Sequence, residues 1–165
     1  MALDEDEFAA LVAEHDRALR GLAFRVLGDR HAMDDALQDA YVKAFRALPR
    51  FRGRSSARTW LYRIVYNACI DHLRRQRTHA QLDEVAAAAP DAGDAVAGRA
   101  ALAAALAALP VDQRAAVLLV DVQGFAYPEA AVVLDVRVGT IASRLSRGRE
   151  TLRAALAPSR KGAEG

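Results

Sequence analysis

The chain has 165 residues, 53% of them apolar, a formal net charge of +2 and one cysteine. That length admits one domain or two small ones, and a composition rich in Ala and Leu with modest Gly and Pro excludes wholesale disorder and favours helices over strands, so an all-α protein is expected. An internal disulfide is excluded, no apolar run reaches the roughly 20 residues that cross a bilayer, and the acidic start MALDEDEF is unlike a signal peptide; a soluble, cytoplasmic protein without direct membrane insertion is expected.

The small net charge conceals a segregation along the chain. Asp4, Glu5, Asp6 and Glu7 crowd the start, and residues 78–98 carry Asp83, Glu84, Asp91 and Asp94 with no Lys or Arg. Basic charge is concentrated in two stretches, Arg50 to Arg77 and Arg137 to Lys161.

From Asp4, the spacing of Phe8, Leu11, Val12, His15, Leu19, Leu22, Ala23, Val26 and Leu27 predicts an amphipathic helix that Gly28 ends. A second helix starts near Ala32 with the stripe Met33, Ala36, Leu37, Ala40, Tyr41, Ala44, Phe45 and Leu48, and Pro49 stops it, because proline disfavours the α conformation at the residue before it. Asp34, Asp35 and Asp39 border this stripe and read as a polar helix face available to a protein partner.

After the loop PRFRGRSS, Ser55 or Ser56 can cap a third helix. Its apolar stripe is Trp60, Leu61, Ile64, Val65, Ala68, Cys69 and Leu73, with Arg58, Arg63, Asn67, Arg74 and Arg77 off it. Three helices can share one core and leave the basic groups outside. Arginines beside Phe51, Trp60, Tyr62 and Tyr66 suit phosphates and unpaired bases. Since Trp60 falls on the stripe it is assigned to the core, as is Cys69, and the candidates for bases are Phe51, Arg52, Arg54, Ser55 and Asn67. Arg74, Arg75 and Arg77 suit phosphates, or simply a solvated helix end favourable to the dipole.

Residues 78–98 have no sustained apolar period and read as an acidic flexible linker between domains 1–77 and 99–165. Extended, about 20 residues span roughly 65 Å, close to two turns of duplex DNA. Helicity resumes in GRAALAAALAAL and breaks at Pro110. Asp112 can cap DQRAAVLLVDVQ, which Gly124 ends, and Pro128 suits the first position of the short helix PEAAVVL. After the turn DVRVG a longer helix runs from about Gly139 to Leu156 with Ile141, Leu145, Leu152 and Leu156 inward.

A short helix, a tight turn and a longer helix carrying Thr140, Ser143, Arg144, Ser146, Arg147 and Arg149, with Arg137 at its entry, form a helix-turn-helix pattern whose second helix can enter the major groove. A solvated arginine-rich helix is the plainer alternative. Catalytic, cofactor-binding and metal-ligating residues are not expected: His15, His31, His72 and His79 share no ligand spacing with one another or with Cys69, and no glycine loop suits a phosphate. An enzyme with a small-molecule substrate is therefore not the reading.

DDALQDAYVKAFRALPRFRGRSSARTWLYRIVYNACIDHLRRQR resembles region 2 of the extracytoplasmic-function (group 4) sigma factors of the sigma-70 family, and LPVDQRAAVLLVDVQGFAYPEAAVVLDVRVGTIASRLSRGRETL resembles their region 4. The likeness extends from Phe8 to Leu156, and within the family it points to the actinobacterial SigM branch. It implies a subunit that joins core RNA polymerase, directs it to minus-35 and minus-10 promoter elements and helps open the duplex. Asp35, Gln38, Asp39 and Lys43 would meet the β′ clamp helices, and region 4 the β flap. Phe51, Arg52, Arg54, Ser55, Arg58, Arg63, Asn67, Arg74 and Arg75 would hold the minus-10 element, with one base flipped out of the non-template strand. Arg137, Thr140, Ser143, Arg144, Ser146, Arg147 and Arg149 would read minus-35 DNA. An anti-sigma factor, membrane-anchored in this branch, is the implied regulator, and the acidic linker would follow the path toward the active site and RNA exit channel.

The chain departs from the family pattern at the turn. Asp135 and Arg137 replace a usual Gly and a small capping residue, at a cost of about 1 kcal/mol. Ala142 replaces a common basic residue and removes a phosphate contact, while Ala126 and Pro128 alter the entry to the first helix of the motif. A stand-alone helix-turn-helix regulator is the alternative from another class, and a polymerase adaptor that reads no DNA is a third.

Overall fold

The computed structural model describes residues 2–80 and 94–158. Its elements are all helical: α1 (Glu5–Leu27), α2 (Arg30–Ala47), a 3-10 turn (Leu48–Arg50), α3 (Ala57–Ala80), α4 (Asp94–Ala108), α5 (Val111–Val117), a π turn (Leu118–Val122), α6 (Tyr127–Leu134) and α7 (Val138–Leu156).

Local chemistry sets most of these boundaries. Asp4 accepts the Glu7 N–H at 2.8 Å and Glu7 accepts the Asp4 N–H at 3.0 Å, a reciprocal cap at the positive end of the α1 dipole. Gly28 ends α1 at φ 74°, in the left-handed region where a side chain would strain the backbone. Asp29 caps α2 through the Ala32 N–H at 2.9 Å. The helix passes at Ala47 into the 3-10 turn, closed by the Phe51 N–H on the Leu48 carbonyl at 3.0 Å; Leu48, ahead of Pro49, keeps right-handed helical geometry (φ −48°, ψ −47°), contrary to the expectation that proline would exclude it, and the change at Pro49 is from α to 3-10 hydrogen bonding. Of the two serines expected to cap α3, Ser56 does so, accepting the Thr59 N–H at 3.1 Å.

Helices α1, α2 and α3 enclose one core, in which Leu19, Leu22, Ala23 and Val26 meet Ala36, Leu37, Ala40 and Ala44 and are closed by Leu61, Val65 and Ala68. The alanine face of α2 lets the helices approach closely. Cys69 is buried there, its thiol pushed up to about 12 by burial. Phe45, expected in the α2 stripe, is instead about half exposed, with its ring 6.1 Å from that of Phe8.

A polar tie crosses the α1–α2 seam. The Tyr41 hydroxyl donates to Asp16 at 2.8 Å, and Arg20 donates to Asp16 and Asp34, both at 2.9 Å. Burial pushes the Asp16 carboxyl up, but the hydrogen bonds from Tyr41 and Arg20 outweigh it and leave it below its ordinary value.

The second unit packs α5 against α7 across Gly148, and its core holds Val117, Leu118, Leu119, Val133, Ile141 and Leu145. Three expectations change here. Pro110, not Asp112, is the residue before α5, so Asp112 lies inside the helix and accepts the Gln113 N–H at 2.9 Å. Pro128 is the second residue of α6, behind Tyr127. Leu156 is 43% exposed, because α7 outruns the helices it packs on.

The expected linker is helical at both described edges, where α3 reaches Ala80 and α4 begins at Asp94; residues 81–93 lie outside the described residues. The two units do not stand apart. Helix α6 lies on α3, and α4 and α5 touch α1. Arg114 of α5 joins them: its guanidinium donates to the carbonyls of Leu106, Ala107 and Leu109 at the end of α4 (2.8 to 2.9 Å) and to those of Arg25 and Val26 at the end of α1 (3.0 and 3.2 Å). One half-buried cation thus satisfies carbonyls at two negative helix ends, although burial still lowers its pKa from the ordinary value.

Tyr41→Phe should remove about 1.5–3 kcal/mol at neutral pH, as expected for one hydrogen bond to a charged acceptor. The folded Asp16 sits below its ordinary value of 3.8, so its contribution is complete above that value and fades as pH falls through the lower folded one. Denaturant unfolding at a series of pH values should therefore show wild type and variant converging on the acid side, and a gap constant with pH would contradict this account.

Candidate nucleic-acid interface

The loop between α2 and α3 is built from its aromatic end. Phe51 packs against Trp60 with ring centroids 5.0 Å apart, fixing the loop to the first turn of α3. Trp60 is half-buried, packed against the edge of the core with Phe51 beside it. Arg52 turns back to donate to the Pro49 carbonyl at 3.1 Å, and Gly53 sits at φ 67°. Arg52 and Arg54 are exposed, Phe51 and Ser55 half-buried. Asn67 is exposed on α3, three turns and about 16 Å further along the helix axis from the Ser56 cap. Loop and Asn67 are thus both open to solvent.

Arg58 and Arg63, expected on that surface, reach the second unit instead. The Arg58 guanidinium donates to the Gln123 carbonyl at 2.5 Å, lies 4.0 Å over the Phe125 ring and 5.5 Å from the Tyr62 ring. Tyr62 stacks edge-on against Phe125 at 4.8 Å and its hydroxyl donates to Gln123 Oε1 at 3.2 Å, while Gln123 Nε2 donates to the Ala18 carbonyl at 3.4 Å. Arg63 pairs with Asp135 at 3.7 Å. The cation–π contact contributes about 0.5–2 kcal/mol. The exposed Arg63 pair adds less than about 1 kcal/mol.

Tyr62 and Tyr66 were absent from the expected stripe, yet both are buried. Burial pushes the Tyr66 hydroxyl up to about 12 and raises Tyr62, against the opposing charge of Arg58. The spacing of 58, 62 and 66 was the available signal: a second face beside the first, read from the sequence as solvent- and DNA-facing.

On α2, Asp35, Gln38, Asp39 and Lys43 are all exposed. Asp39 faces Arg75 and Lys43 faces Asp71, each at 3.7 Å, and Arg74 stands 3.9 Å from Asp71; such exposed pairs are easily exchanged for a partner's charges. Val42 is 44% exposed amid them, an apolar centre the sequence reading did not single out. Asp34 belongs to the tie with Arg20.

In the helix-turn-helix, Glu129 accepts the Ala126 N–H at 3.0 Å and starts α6. Asp135 takes φ 53°, the left-handed geometry that favours glycine, and Arg137 precedes α7 with no side-chain cap. Arg137, Ser143, Ser146 and Arg147 are exposed, while Thr140 is half-buried and its carbonyl accepts the Ser143 hydroxyl at 3.0 Å. Two arginines expected at DNA are held by neighbouring helices. Arg144, 23% exposed, lies 3.5 Å from Asp112, and Arg149 grips Asp121 with two bonds of 3.0 and 2.7 Å, which raises its pKa further. Both help orient α7 on α5 and the π turn.

Comparison with known proteins decides the family. Residues 11–79 match sigma-70 region 2 and residues 99–152 match sigma-70, region 4. The chain is 42% identical over 154 residues to the ECF RNA polymerase sigma factor SigM of Mycobacterium tuberculosis, covering 92% of this chain and 78% of that one. This chain is an extracytoplasmic-function sigma factor. It is a transcription initiation factor, and the match of both regions leaves the stand-alone regulator without support.

The sigma factor is also similar to the sigma factor RpoE solved in complex with the anti-sigma factor NepR from Bartonella quintana (TM-score 0.78, 28% identity, 93% of this chain and 99% of that one). CnrH, solved in complex with the cytosolic domain of CnrY, gives 0.69 at 30% identity over 93% of this chain and 89% of that one. Each alignment spans both regions.

Region 4 depends on the close approach at Gly148, where an added Cβ would lie 3.0 Å from Val117 Cγ2. Gly148→Val should destabilise the sigma factor by about 1–3 kcal/mol through overpacking, with its charge unchanged. Thermal unfolding would show this as a lowered midpoint, and a midpoint at or above that of wild type would contradict it.

Proposed function

We propose that this sigma factor joins core RNA polymerase through the α2 face, with Asp35, Gln38, Asp39 and Lys43 against the β′ clamp helices and region 4 on the β flap. The observation that carries the reading is the pairing of an exposed, charge-bearing α2 face around Val42 with an exposed basic loop on the adjacent end of α3. Binding to polymerase then delivers that loop to DNA.

The minus-10 element is captured at Phe51, Arg52, Arg54, Ser55 and Asn67, with Arg74 and Arg75 on phosphates and Arg58 and Arg63 joining once region 4 moves off. One extruded base is exchanged from the stack into this surface. Unstacking costs a few kcal/mol, offset by contacts open only to the extruded base, which couples recognition to melting. Region 4 reads minus-35 duplex with Arg137, Thr140, Ser143, Ser146 and Arg147 outermost and Arg144 and Arg149 behind them. The sigma factor makes and breaks no bonds itself. Its regulator is an anti-sigma factor, membrane-anchored in the branch that includes SigM, and its place of work is the cytoplasm, where polymerase and promoter meet. The solved relatives bound to NepR and CnrY support the anti-sigma partner.

Run-off transcription on a promoter library with reconstituted polymerase tests this. Promoter-specific initiation is expected, and its failure removes the reading. In that assay Asn67→Ala and Arg52→Ala should slow open-complex formation, each by about 1–3 kcal/mol of lost base contact. Arg147→Ala should weaken dependence on the minus-35 element by a similar amount.

A further inference from the structure

The exposed face of α7 carries more than its arginines. At about 100° per residue, Val138 and Ala142 fall on one edge of that face, Gly139, Ser143 and Ser146 along its middle, and Arg147 on the other edge. Val138 is 44% exposed in the first turn, and Ala142, one turn on, is exposed beside it. Arg149 returns to the same edge near the far end of the helix, but it is turned back onto Asp121. The edge therefore offers two apolar side chains to whatever α7 meets.

Gly139 adds an independent observation. It lies inside α7 without a left-handed backbone, the described glycines of positive φ being Gly28, Gly53 and Gly124, and an added Cβ would meet nothing within 4 Å beyond its own helix. Neither backbone geometry nor packing among the described residues calls for a glycine there, and glycine in a helix is less stable than alanine. The remaining use of the missing side chain is a close approach from outside. For the second helix of a helix-turn-helix, the approaching surface is the floor of the major groove. Each thymine presents a C5-methyl group there, and apolar side chains contact it.

We propose that Val138 and Ala142 read the C5-methyl groups of thymines in the minus-35 element, and that Gly139 lets α7 come close enough to make this contact. The proposal deepens the minus-35 reading above and rests on it. Arg147 supplies charge and hydrogen bonds on one edge, while the other edge discriminates by shape and burial. Burying one methyl group changes binding about fourfold. That part of recognition releases no counterion and so does not vary with salt.

The test uses the full chain in reconstituted holoenzyme, on a promoter taken from the run-off library. Each thymine of the minus-35 element, on either strand, is replaced singly by deoxyuridine, which removes the methyl group and keeps the base-pairing hydrogen bonds. Thymine and deoxyuridine templates of different run-off length then compete in one reaction. Wild type should favour thymine about fourfold at one or two positions, at low and high salt alike. Val138→Ser with Ala142→Ser should bring that ratio to about one, whereas Arg147→Ala should lower initiation on both templates and keep the ratio. Gly139→Ala should raise the thermal midpoint by about 2 °C. The same variant should weaken minus-35-dependent initiation about tenfold, the cost of a lost base-pair contact. A purely structural glycine would move stability and initiation in the same direction.

A ratio of one at every thymine in wild type overturns the proposal, as does a ratio that survives the double serine variant or a selected element without A·T pairs. Gly139→Ala that initiates like wild type overturns the close approach. Failure of the minus-35 reading itself has a different signature: scrambling the whole element leaves initiation by wild type unchanged, and Arg147→Ala is then without effect.

Discussion

Helix α3 has to bury two adjacent faces at once. Leu61, Val65 and Ala68 close the core of region 2, and Tyr62 and Tyr66, a fraction of a turn away, are covered by region 4. An isolated region 2 would leave the second face to water, and two buried tyrosines represent several kcal/mol of apolar transfer. This second burial holds the two regions as one body, and it explains why basic groups expected in solvent lie at an internal seam.

The polar contacts at the seam follow from that packing. Arg114 lies across the ends of α1 and α4 because both present unpaired carbonyls and negative dipole ends to the same place. Arg58 fits because its planar cation can stack on Phe125 while still reaching a carbonyl. By contrast the α2 pairs, Asp39 with Arg75 and Lys43 with Asp71, are long and exposed. They hold little together and leave their charges available to a partner.

Much of each region was legible in the chain. Asp4, Gly28, Ser56, Pro49 and Gly124 mark helix ends because a cap, a missing N–H or a left-handed backbone acts within a few residues, whereas the Asp29 cap, which starts α2 at Arg30 rather than near Ala32, went unread. The stripes of α1 and α3 were legible for the same reason: periodicity reports which face is buried. Errors arose where burial depends on what lies beyond the helix. Leu156 fits the stripe of α7 but outruns its neighbours, and Phe45 fits that of α2 but is left about half exposed beside Phe8. Arg144 and Arg149 are a different case: they belong to a basic helix by sequence, and the fold adds ion pairs with Asp112 and Asp121, roughly thirty residues earlier in the chain, that spacing could not show.

The interleaved arginines and aromatics from Arg50 to Arg77 show where the division falls. Residue type and spacing by themselves determined a helical chain, a capped α3, a basic loop and a helix-turn-helix pattern, because those depend on local hydrogen bonding, periodicity and charge; the resemblance to sigma factors added their order. Only the tertiary structure decided that Arg58, Tyr62 and Tyr66 form a face for region 4, that Arg63 meets Asp135, and that Asn67 stays open. A helix periodicity separates apolar from polar faces, but an arginine over an aromatic ring is compatible with either, and its partner is chosen by which surfaces the fold brings within a few ångströms.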